Sequence, residues 1–222
     1  QVLDFYRGGQ SAASAAELRL EGRAAQGDAG AAASAEADRS AAGQVLGECI
    51  PVVEVPEHVQ DLRQFTYHDH TADIIVHSWG RTRAEAFAQV CVGMFQYMTE
   101  LDGIELSHCV DVEAHGHDLL DLLYHLLDEF LFVFGTQTHI SRRIEILEFD
   151  EDALRIRARG YGERMDLSKH SQGTEIKAIT MHMMRILGPD SVRTENGTMP
   201  RDAAGDLVDT EFPHEAYVLL DI

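Results

Sequence analysis

Two stretches of this chain place large apolar residues at helical spacing, with short alternating segments around them. The first follows Thr82, which can cap a helix N-terminus, and Glu85, which can complete a capping box. The second follows Asp118, and Gly135 stands where a glycine can end a helix. A helix with one apolar stripe must bury that stripe against another layer. The pattern predicts two amphipathic helices on a shared core, with stripes Phe87, Val90, Cys91, Met94, Phe95 and Met98, and Leu119, Leu122, Leu123, Leu126, Phe130, Val133 and Phe134.

A third helix is predicted from about Thr174 to Leu187, with Ile176, Ile179 and Met183 facing inward together with Leu187. Alternating or β-rich residues predict strands in five further segments. These segments are 74–79, 109–114, 144–149, 154–159 and 216–222. Three helices with intervening strands, several of them in hairpins, indicate an α+β fold. We expect a single domain in which a mostly antiparallel or mixed sheet packs with three amphipathic helices.

Composition divides the chain into an N-terminal extension and a domain that carries an insertion. Residues 8–47 are mostly Ala, Gly, Ser, Glu and Arg, which cannot bury enough apolar surface to offset the entropy of ordering. We therefore expect a disordered extension over 1–60 and a packed domain over 61–222. Within that domain, residues from about 188 to 214 have loop composition, and their length indicates an insertion.

The charge of the chain constrains its partners. At a formal charge of −20, the surface repels the phosphate backbone, which argues against strong direct binding to nucleic acid. No apolar run approaches the roughly 20 residues needed to cross a bilayer, and the first residues do not resemble a secretory signal. Three widely spaced cysteines favour a reducing compartment. We expect a cytoplasmic protein with no membrane partner, and the nucleus stays open as a second location.

The densest group of potential metal ligands is His68, Asp69, His70 and Asp73. Two histidines two residues apart with a nearby aspartate can indicate zinc. An exposed alternating strand gives the same spacing, and short polar side chains also stabilise turns. A metal role for His68 or His70 is therefore the less favoured interpretation from local pattern.

The chain ends on Asp221 and Ile222, after a segment typical of a strand. Taken separately, Asp73 is most simply a solvated turn residue and the tail a solvated end. If Asp73 meets the tail, its carboxylate, that of Asp221 and the terminal carboxylate of Ile222 offer only oxygen ligands. Such a set suits a hard divalent cation, namely Ca²⁺, Mg²⁺ or Mn²⁺, and not zinc.

Positive charge gathers at the start of the predicted third helix, where Lys169, His170 and Lys177 are close in sequence. A helix N-terminus favours anions, but solvated lysines that balance nearby acidic residues explain the pattern equally well. Arg155, Arg157 and Arg159 alternate along one predicted strand. They indicate the wet side of a sheet or, as a lesser alternative, a docking face for an acidic partner.

Several sequence blocks, in register, resemble the archease family. They are Tyr67-x-Asp69-His70-Thr71-Ala72-Asp73, His77-x-Trp79-Gly80, Met94-Phe95-x-Tyr97-Met98-Thr99, residues 118–131, Lys169-His170-x-Gln172-Gly173-Thr174-Glu175-Ile176-Lys177-Ala178-Ile179-Thr180, and Leu219-Leu220-Asp221-Ile222. The resemblance covers about 65–187 and 216–222. The extension and the 188–214 insertion depart from it.

The resemblance implies a small α+β accessory protein, not itself an enzyme, that assists the RtcB-type RNA ligase of the tRNA-splicing ligase complex. Members of this family are understood to promote guanylylation and turnover of the ligase. The family's metal site implies Asp73, Asp221 and Ile222 as ligands of a divalent cation, with calcium foremost. The matching block implies a functional role for Lys177. Asp69, His70, Lys169 and His170 are weaker candidates.

Two other functions stay open from the sequence. A metal-dependent hydrolase could use His68, His70 and Asp73, although no general base can be named with them. A chaperone-like protein-binding module is the other alternative, and it rests on analogy between folds alone.

Overall fold

The computed structural model describes residues 46–188 and 211–222. The rest of the predicted extension and the central part of the predicted insertion lie outside the described residues. The two described α-helices are α1 (Arg83–Met98) and α2 (Leu119–Gln137), and a short 3₁₀ helix follows α1 at Leu101–Gly103. The described strands are β1 (Ile50–Pro51), β2 (Phe65–His70), β3 (Asp73–Gly80), β4 (His108–His115), β5 (His139–Asp150), β6 (Arg155–Arg164), β7 (Ala178–Leu187) and β8 (His214–Asp221).

These strands form two antiparallel sheets of four strands each. The first sheet has the order β1-β4-β6-β5, and the second has the order β2-β3-β8-β7. Helix α1 contacts β3 and β8 of the second sheet and β5 of the first, and α2 contacts β4 and β7. Because each helix packs on both sheets, a single apolar core joins all these elements. The fold is the expected α+β domain.

Both described helices begin where the sequence predicts. The Thr82 side chain accepts a hydrogen bond from the Glu85 main-chain N–H at 3.1 Å, and the Asp118 side chain caps α2 by accepting from Asp121. These bonds satisfy N–H groups that a helix cannot pair internally. Gly135 does not end α2, which continues to Gln137 and is capped by Thr138 in the left-handed region at φ 55°.

The predicted third helix is wrong, because Ala178–Leu187 is strand β7, paired with β8. The register of this pair shifts between Thr180 and Arg185. Ile179 faces the core before the shift and Met184 faces it afterwards, so the inward side changes from odd to even positions. The shift removes the two-residue alternation typical of a strand and leaves apolar residues at spacings that resemble a helix.

The packed domain begins earlier than the expected start at residue 61. Strand β1 pairs with Cys109 and His108 of β4. Val59 is buried, and it forms a small apolar cluster with Cys109 and Tyr161. Residues 46–60 therefore cover the edge of the first sheet and are not part of a disordered extension. In the described part of the chain, neither helix has the length and apolar character needed to traverse a bilayer.

Candidate functional site

Three of the predicted site residues lie side by side at one end of the second sheet. His70 is opposite Asp73 across β2 and β3, and Asp73 is opposite Asp221 across β3 and β8. Ala178 follows opposite Asp221 on β7. Residues directly opposite one another in a ladder project their side chains from the same face of the sheet. The structure thus brings Asp73 and the C-terminal strand together, as the argument for an oxygen-rich cluster requires.

This row lies on the outer face of the second sheet. Ile74 and Val76 belong to the main core with the helices, whereas Ile75 packs in a separate cluster with Tyr217 and Leu219. Asp73 shares the alternation of Ile75 and therefore points away from the helices. The Asp73 side chain is 28% exposed, which leaves it accessible from solvent or to a partner.

The C-terminal end is held in place rather than frayed. Strand β8 runs as far as Asp221, whose carbonyl accepts a hydrogen bond from the Lys177 main-chain N–H at 2.9 Å. The Lys177 ammonium donates to the Ile222 carboxylate at 2.8 Å. Lys177 therefore fixes the last residue through both its main chain and its side chain, which positions the terminal carboxylate beside Asp221.

His70 completes the row with a nitrogen that lacks a good partner. Its Nδ1 atom is buried without a hydrogen bond, and the nearest acidic atom is Asp73 Oδ2 at 3.6 Å. Buried polar atoms are almost always paired. Two carboxylates directly opposite one another also repel. Both features fit a site that is completed by a group from outside the chain.

The donors available to a metal here are oxygens. In residues 46–188 and 211–222, no three side chains of His, Cys, Asp or Glu converge in an arrangement suited to a metal ion. A cation at this end of the sheet would therefore need the terminal carboxylate of Ile222, in addition to Asp73 and Asp221. Carboxylate oxygens are the ligands that calcium, magnesium and manganese prefer, so the chemistry of the donors fits the predicted hard cation.

The remaining weaker candidates lie apart from this row. Asp69 is exposed and pairs with Ile74, so its side chain leaves the sheet on the opposite face from His70. Lys169 contacts Glu163 at 2.8 Å and Glu105 at 3.0 Å. Its role is to tie the loop before β7 to the end of β6.

His170 supports the same loop from within. Its Nε2 atom lies 3.2 Å from Glu163, and its Nδ1 atom accepts a hydrogen bond from the Asp166 main chain at 3.0 Å. Burial alone would raise the pKa of Glu163, but hydrogen bonds from Lys169 and from the Glu105 main chain outweigh it and lower that pKa. Lys169 and His170 thus have structural partners, and neither contacts the Asp73 row.

A stack of rings next to the Asp73 row was missed by the sequence analysis. The rings of His77 and Tyr217 are nearly parallel with centroids 4.0 Å apart, and the Arg185 guanidinium lies 4.6 Å from the Tyr217 ring. Glu215 accepts from the Tyr217 hydroxyl at 2.8 Å and lies 3.1 Å from His77 Nε2. The only sign of this stack in the sequence was the alternation of the histidines. Tyr217 and Arg185 lie on strands that are far from them along the chain.

His68 belongs to this stack and not to a zinc cluster. Its ring stacks against His77, with Nε2 3.4 Å from His77 Nδ1. His68 is opposite Ile75 in the sheet, two residues along the strands from the row of His70 and Asp73. The grouping of His68, His70 and Asp73 that a hydrolase would use is therefore not a converging set of ligands in the described structure.

The alternating arginines of β6 are occupied by acidic neighbours on the first sheet. Arg159 donates to Asp111 at 2.8 Å, Arg157 lies 3.7 Å from Glu113, and Arg155 lies 2.5 Å from Glu148. These pairs favour the interpretation of a solvated sheet face over that of a surface for an acidic partner.

Known proteins resemble this chain over the same region. The archease-like protein of Drosophila melanogaster is 47% identical over 125 residues, which is 56% of this chain and 80% of that protein. The archease of Pyrococcus abyssi is 33% identical over 126 residues, which is 56% of this chain and 89% of that protein. The solution structure of Methanobacterium thermoautotrophicum protein 1598 superimposes with a TM-score of 0.56 at 27% identity, over 72% of this chain and all of that one.

The profile of the archease protein family matches residues 65–204, more than half of the 222 residues. The matched region includes both helices and most of both sheets. Agreement of the family profile, the curated relatives and the fold leaves one conclusion: the chain belongs to the archease family.

Proposed function

We propose that this protein is an accessory factor that activates an RtcB-type RNA ligase in tRNA splicing. In this proposal it promotes guanylylation of the ligase and supports multiple turnover. Membership of the archease family supports an accessory role. The observation that carries the proposal is the pairing of Asp73 with Asp221 next to a C-terminus held by Lys177.

The carboxylates of Asp73, Asp221 and the Ile222 terminus are the proposed ligands of a divalent hard cation, Ca²⁺ first and Mg²⁺ or Mn²⁺ as substitutes. When bound, the cation would supply positive charge that offsets the repulsion between the paired carboxylates. His70 lies beside Asp73 and would help to orient its carboxylate. The outer face of the second sheet is the proposed surface that meets the ligase.

Lys177 is the proposed contact to an anionic group of the ligase. Its exposed ammonium is held by the Ile222 carboxylate. Once the Ile222 carboxylate binds a divalent cation, a phosphate or carboxylate of the partner can replace it as the acceptor of the Lys177 ammonium. The charge of −20 supports an action on a protein with its nucleotide or metal, and not on RNA directly.

A hydrolase that uses His68, His70 and Asp73 is the second candidate from the sequence. No observation in the described residues favours it, because His68 stacks on His77 instead of joining the other two. In the accessory role, the residues of this chain would bind and position, while the covalent chemistry belongs to the ligase.

The proposal is tested by measuring guanylylation of the purified ligase with this protein present at a substoichiometric ratio. Asp73→Asn and one glycine added after Ile222 are both expected to abolish stimulation, since each removes or displaces one proposed ligand. Asp152→Asn is the matched control, because Asp152 is an exposed carboxylate in the turn between β5 and β6. Wild-type stimulation by both altered proteins would disprove the proposed site.

A further inference from the structure

The hairpin turn between β2 and β3 has a main-chain conformation that its sequence does not favour. His70 and Asp73 are opposite each other in the ladder, so the loop consists of the two residues Thr71 and Ala72. Ala72 has a φ of 83°, in the left-handed region, whereas Thr71 is not among the residues with a positive φ. Residues other than glycine rarely take such a φ, because the Cβ atom then crowds the main chain. The turn is therefore strained at Ala72.

The type of turn adds to this strain. Two-residue hairpins favour turns whose first loop residue has a positive φ, because these turns match the right-handed twist of the strands. A positive φ at the second loop residue alone is the pattern of a type II turn, which normally has glycine or asparagine there and splays the strands. Even so, β2 stays paired with β3 along all six of its residues. The ladder therefore holds a turn that neither the residue nor the turn type favours.

Packing does not explain why alanine stands at this position. Thr71 and Ala72 are both exposed, so the methyl group of Ala72 fills no space in the core. Glycine at this position would relieve the strain, but glycine adopts positive and negative φ about equally well and would leave the turn freer to move. What alanine provides here is thus a restriction of the main chain.

The residues on either side of this turn belong to the Asp73 row. Asp73 is directly opposite Asp221 on β8, and His70 Nδ1 lies 3.6 Å from Asp73 Oδ2. The direction of the Asp73 side chain therefore depends on the main chain of the residue just before it. Strained residues persist where the surrounding structure imposes one conformation, and they cluster at sites where that conformation is used. The strain at Ala72 thus lies where the candidate site needs a fixed carboxylate.

We propose that Ala72 is a positioning residue, which holds the Asp73 carboxylate opposite Asp221 so that a divalent cation meets ligands already in place. This inference rests on the proposed cation site and adds to it a residue that acts only through the main chain. A site whose ligands are fixed before binding loses less affinity to ordering them. If glycine at position 72 left the competent turn populated about a fifth of the time, the apparent dissociation constant would rise about fivefold.

The main test compares the full chain with its Ala72→Gly variant in calcium titrations followed by calorimetry. We expect the variant to bind calcium about three- to tenfold more weakly. Its urea midpoint in EDTA should nevertheless be at or above that of the wild type, because glycine relieves the strain. If alanine is merely tolerated in the turn, stability responds in the same way but the calcium affinity does not change. Equal affinities, or a clearly lower urea midpoint for the variant, would overturn the proposal.

Two further variants separate restriction of the main chain from other effects. Ala153→Gly is the matched control, because Ala153 is exposed in the turn between β5 and β6 and is not among the residues with a positive φ. It should lower the urea midpoint and leave the calcium affinity unchanged. Ala72→Asn takes a positive φ more readily than alanine but stays more restricted than glycine, so its affinity should be close to that of the wild type. Weakening by Ala72→Asn as large as that by Ala72→Gly would contradict a role through the main chain.

Backbone ¹⁵N relaxation without any cation gives a result that does not depend on the proposed cation site. The order parameters at positions 72 and 73 should be about 0.85 in the wild type, as in rigid main chain, and should fall towards about 0.6 in Ala72→Gly. Unchanged order parameters would overturn the inference. If calcium binds neither protein while the order parameters differ, the cation site fails and the positioning of Asp73 by Ala72 stands.

Discussion

Asp73 and Asp221 stand directly opposite each other on neighbouring strands, although one opens β3 and the other closes the last strand of the chain. Directly opposed like charges destabilise a sheet. The pair has His70 on one side, and the Ile222 terminus next to Asp221 is held by Lys177. A pairing that costs stability and lies at a partly exposed end of the sheet is more readily explained by a ligand than by folding.

The first prediction concerns stability with and without a divalent cation. Asp73→Asn removes one of two opposed charges, so we expect the variant to be as stable as the wild type, or slightly more stable, in the presence of EDTA. Calcium at 100 times its dissociation constant should stabilise the wild type by about 2.7 kcal/mol and leave the variant unchanged. Thermal unfolding with EDTA and with calcium measures both effects.

The control for this experiment is Asp152→Asn, which should retain the full response to calcium. Magnesium and manganese are compared in the same assay, since all three cations prefer oxygen ligands. A purely structural role for Asp73 predicts the opposite pattern, in which the variant is less stable in EDTA and the wild type ignores the cation.

The second prediction separates Lys177 from Lys169. Lys177→Gln removes an exposed ammonium that binds the Ile222 carboxylate. We expect a thermal midpoint close to that of the wild type, since exposed ion pairs contribute little to stability, together with a loss of ligase stimulation. Lys169→Gln should retain stimulation, because its ammonium contacts Glu163 and Glu105 instead. Equal stimulation by the two variants would remove Lys177 from the proposed contact with the ligase.

Local signals in the sequence were sufficient for the two helices. The residues that cap the N-termini of α1 and α2 could be identified because a capping side chain acts within three residues along the chain. The apolar stripes were also readable, and Phe87, Phe95 and Phe130 are fully buried as predicted. These features depend on neighbours in sequence, which the sequence displays directly.

Strand β7 could not be predicted from its periodicity. The shift between Thr180 and Arg185 lets the strand change its inward positions, and Met183 takes a positive φ of 58° there. Such an irregularity is accommodated by the pairing with β8, which is a contact between distant segments. Tertiary pairing thus outweighed the local pattern.

The candidate site shows the same division between local and distant information. Asp73, Asp221 and Ile222 could be selected from their chemistry and from the resemblance, but their meeting depends on the register of β3 with β8. Lys169 and His170 belong to the same sequence block as Lys177, yet they contact Glu163.

The third prediction uses two glycines with opposite surroundings. Gly135 lies on the exposed face of α2, and an added Cβ atom would meet nothing within 4 Å. Gly135→Ala should therefore stabilise the protein by about 0.5–1 kcal/mol through its better helix propensity. If Gly135 ended the helix in the left-handed region instead, alanine would destabilise the protein.

Gly162 of β6 is the contrasting position. A Cβ atom there would lie 1.8 Å from the Ile140 carbonyl oxygen, so the main chains of β5 and β6 would have to separate. We expect Gly162→Ala to cost about 3 kcal/mol or more. Urea unfolding of both variants and the wild type gives the two changes, and a Gly162→Ala variant as stable as the wild type would contradict the close approach.

The fourth prediction is a pH dependence of stability that arises from His139. This histidine is fully buried at the start of β5, and its Nδ1 atom lies 3.3 Å from Cys49 Sγ. Burial, aided by the nearby His108, lowers the pKa of His139 to about 4. The imidazole of an unfolded chain has a pKa of about 6.5. Between these two values the unfolded state binds a proton that the folded state does not.

The free energy of unfolding should therefore fall as pH decreases from about 6.5 to about 4, with a contribution from this residue of up to about 3 kcal/mol. Above pH 6.5 both states are neutral, and the contribution does not change. Urea unfolding at several values from pH 7.5 to about 5 measures the slope while most carboxylates stay ionised. His139→Gln should flatten this slope whatever its stability at pH 7, while His182→Gln, at an exposed position of β7, should retain it. Parallel slopes for the wild type and His139→Gln would show that folding does not lower the pKa of His139.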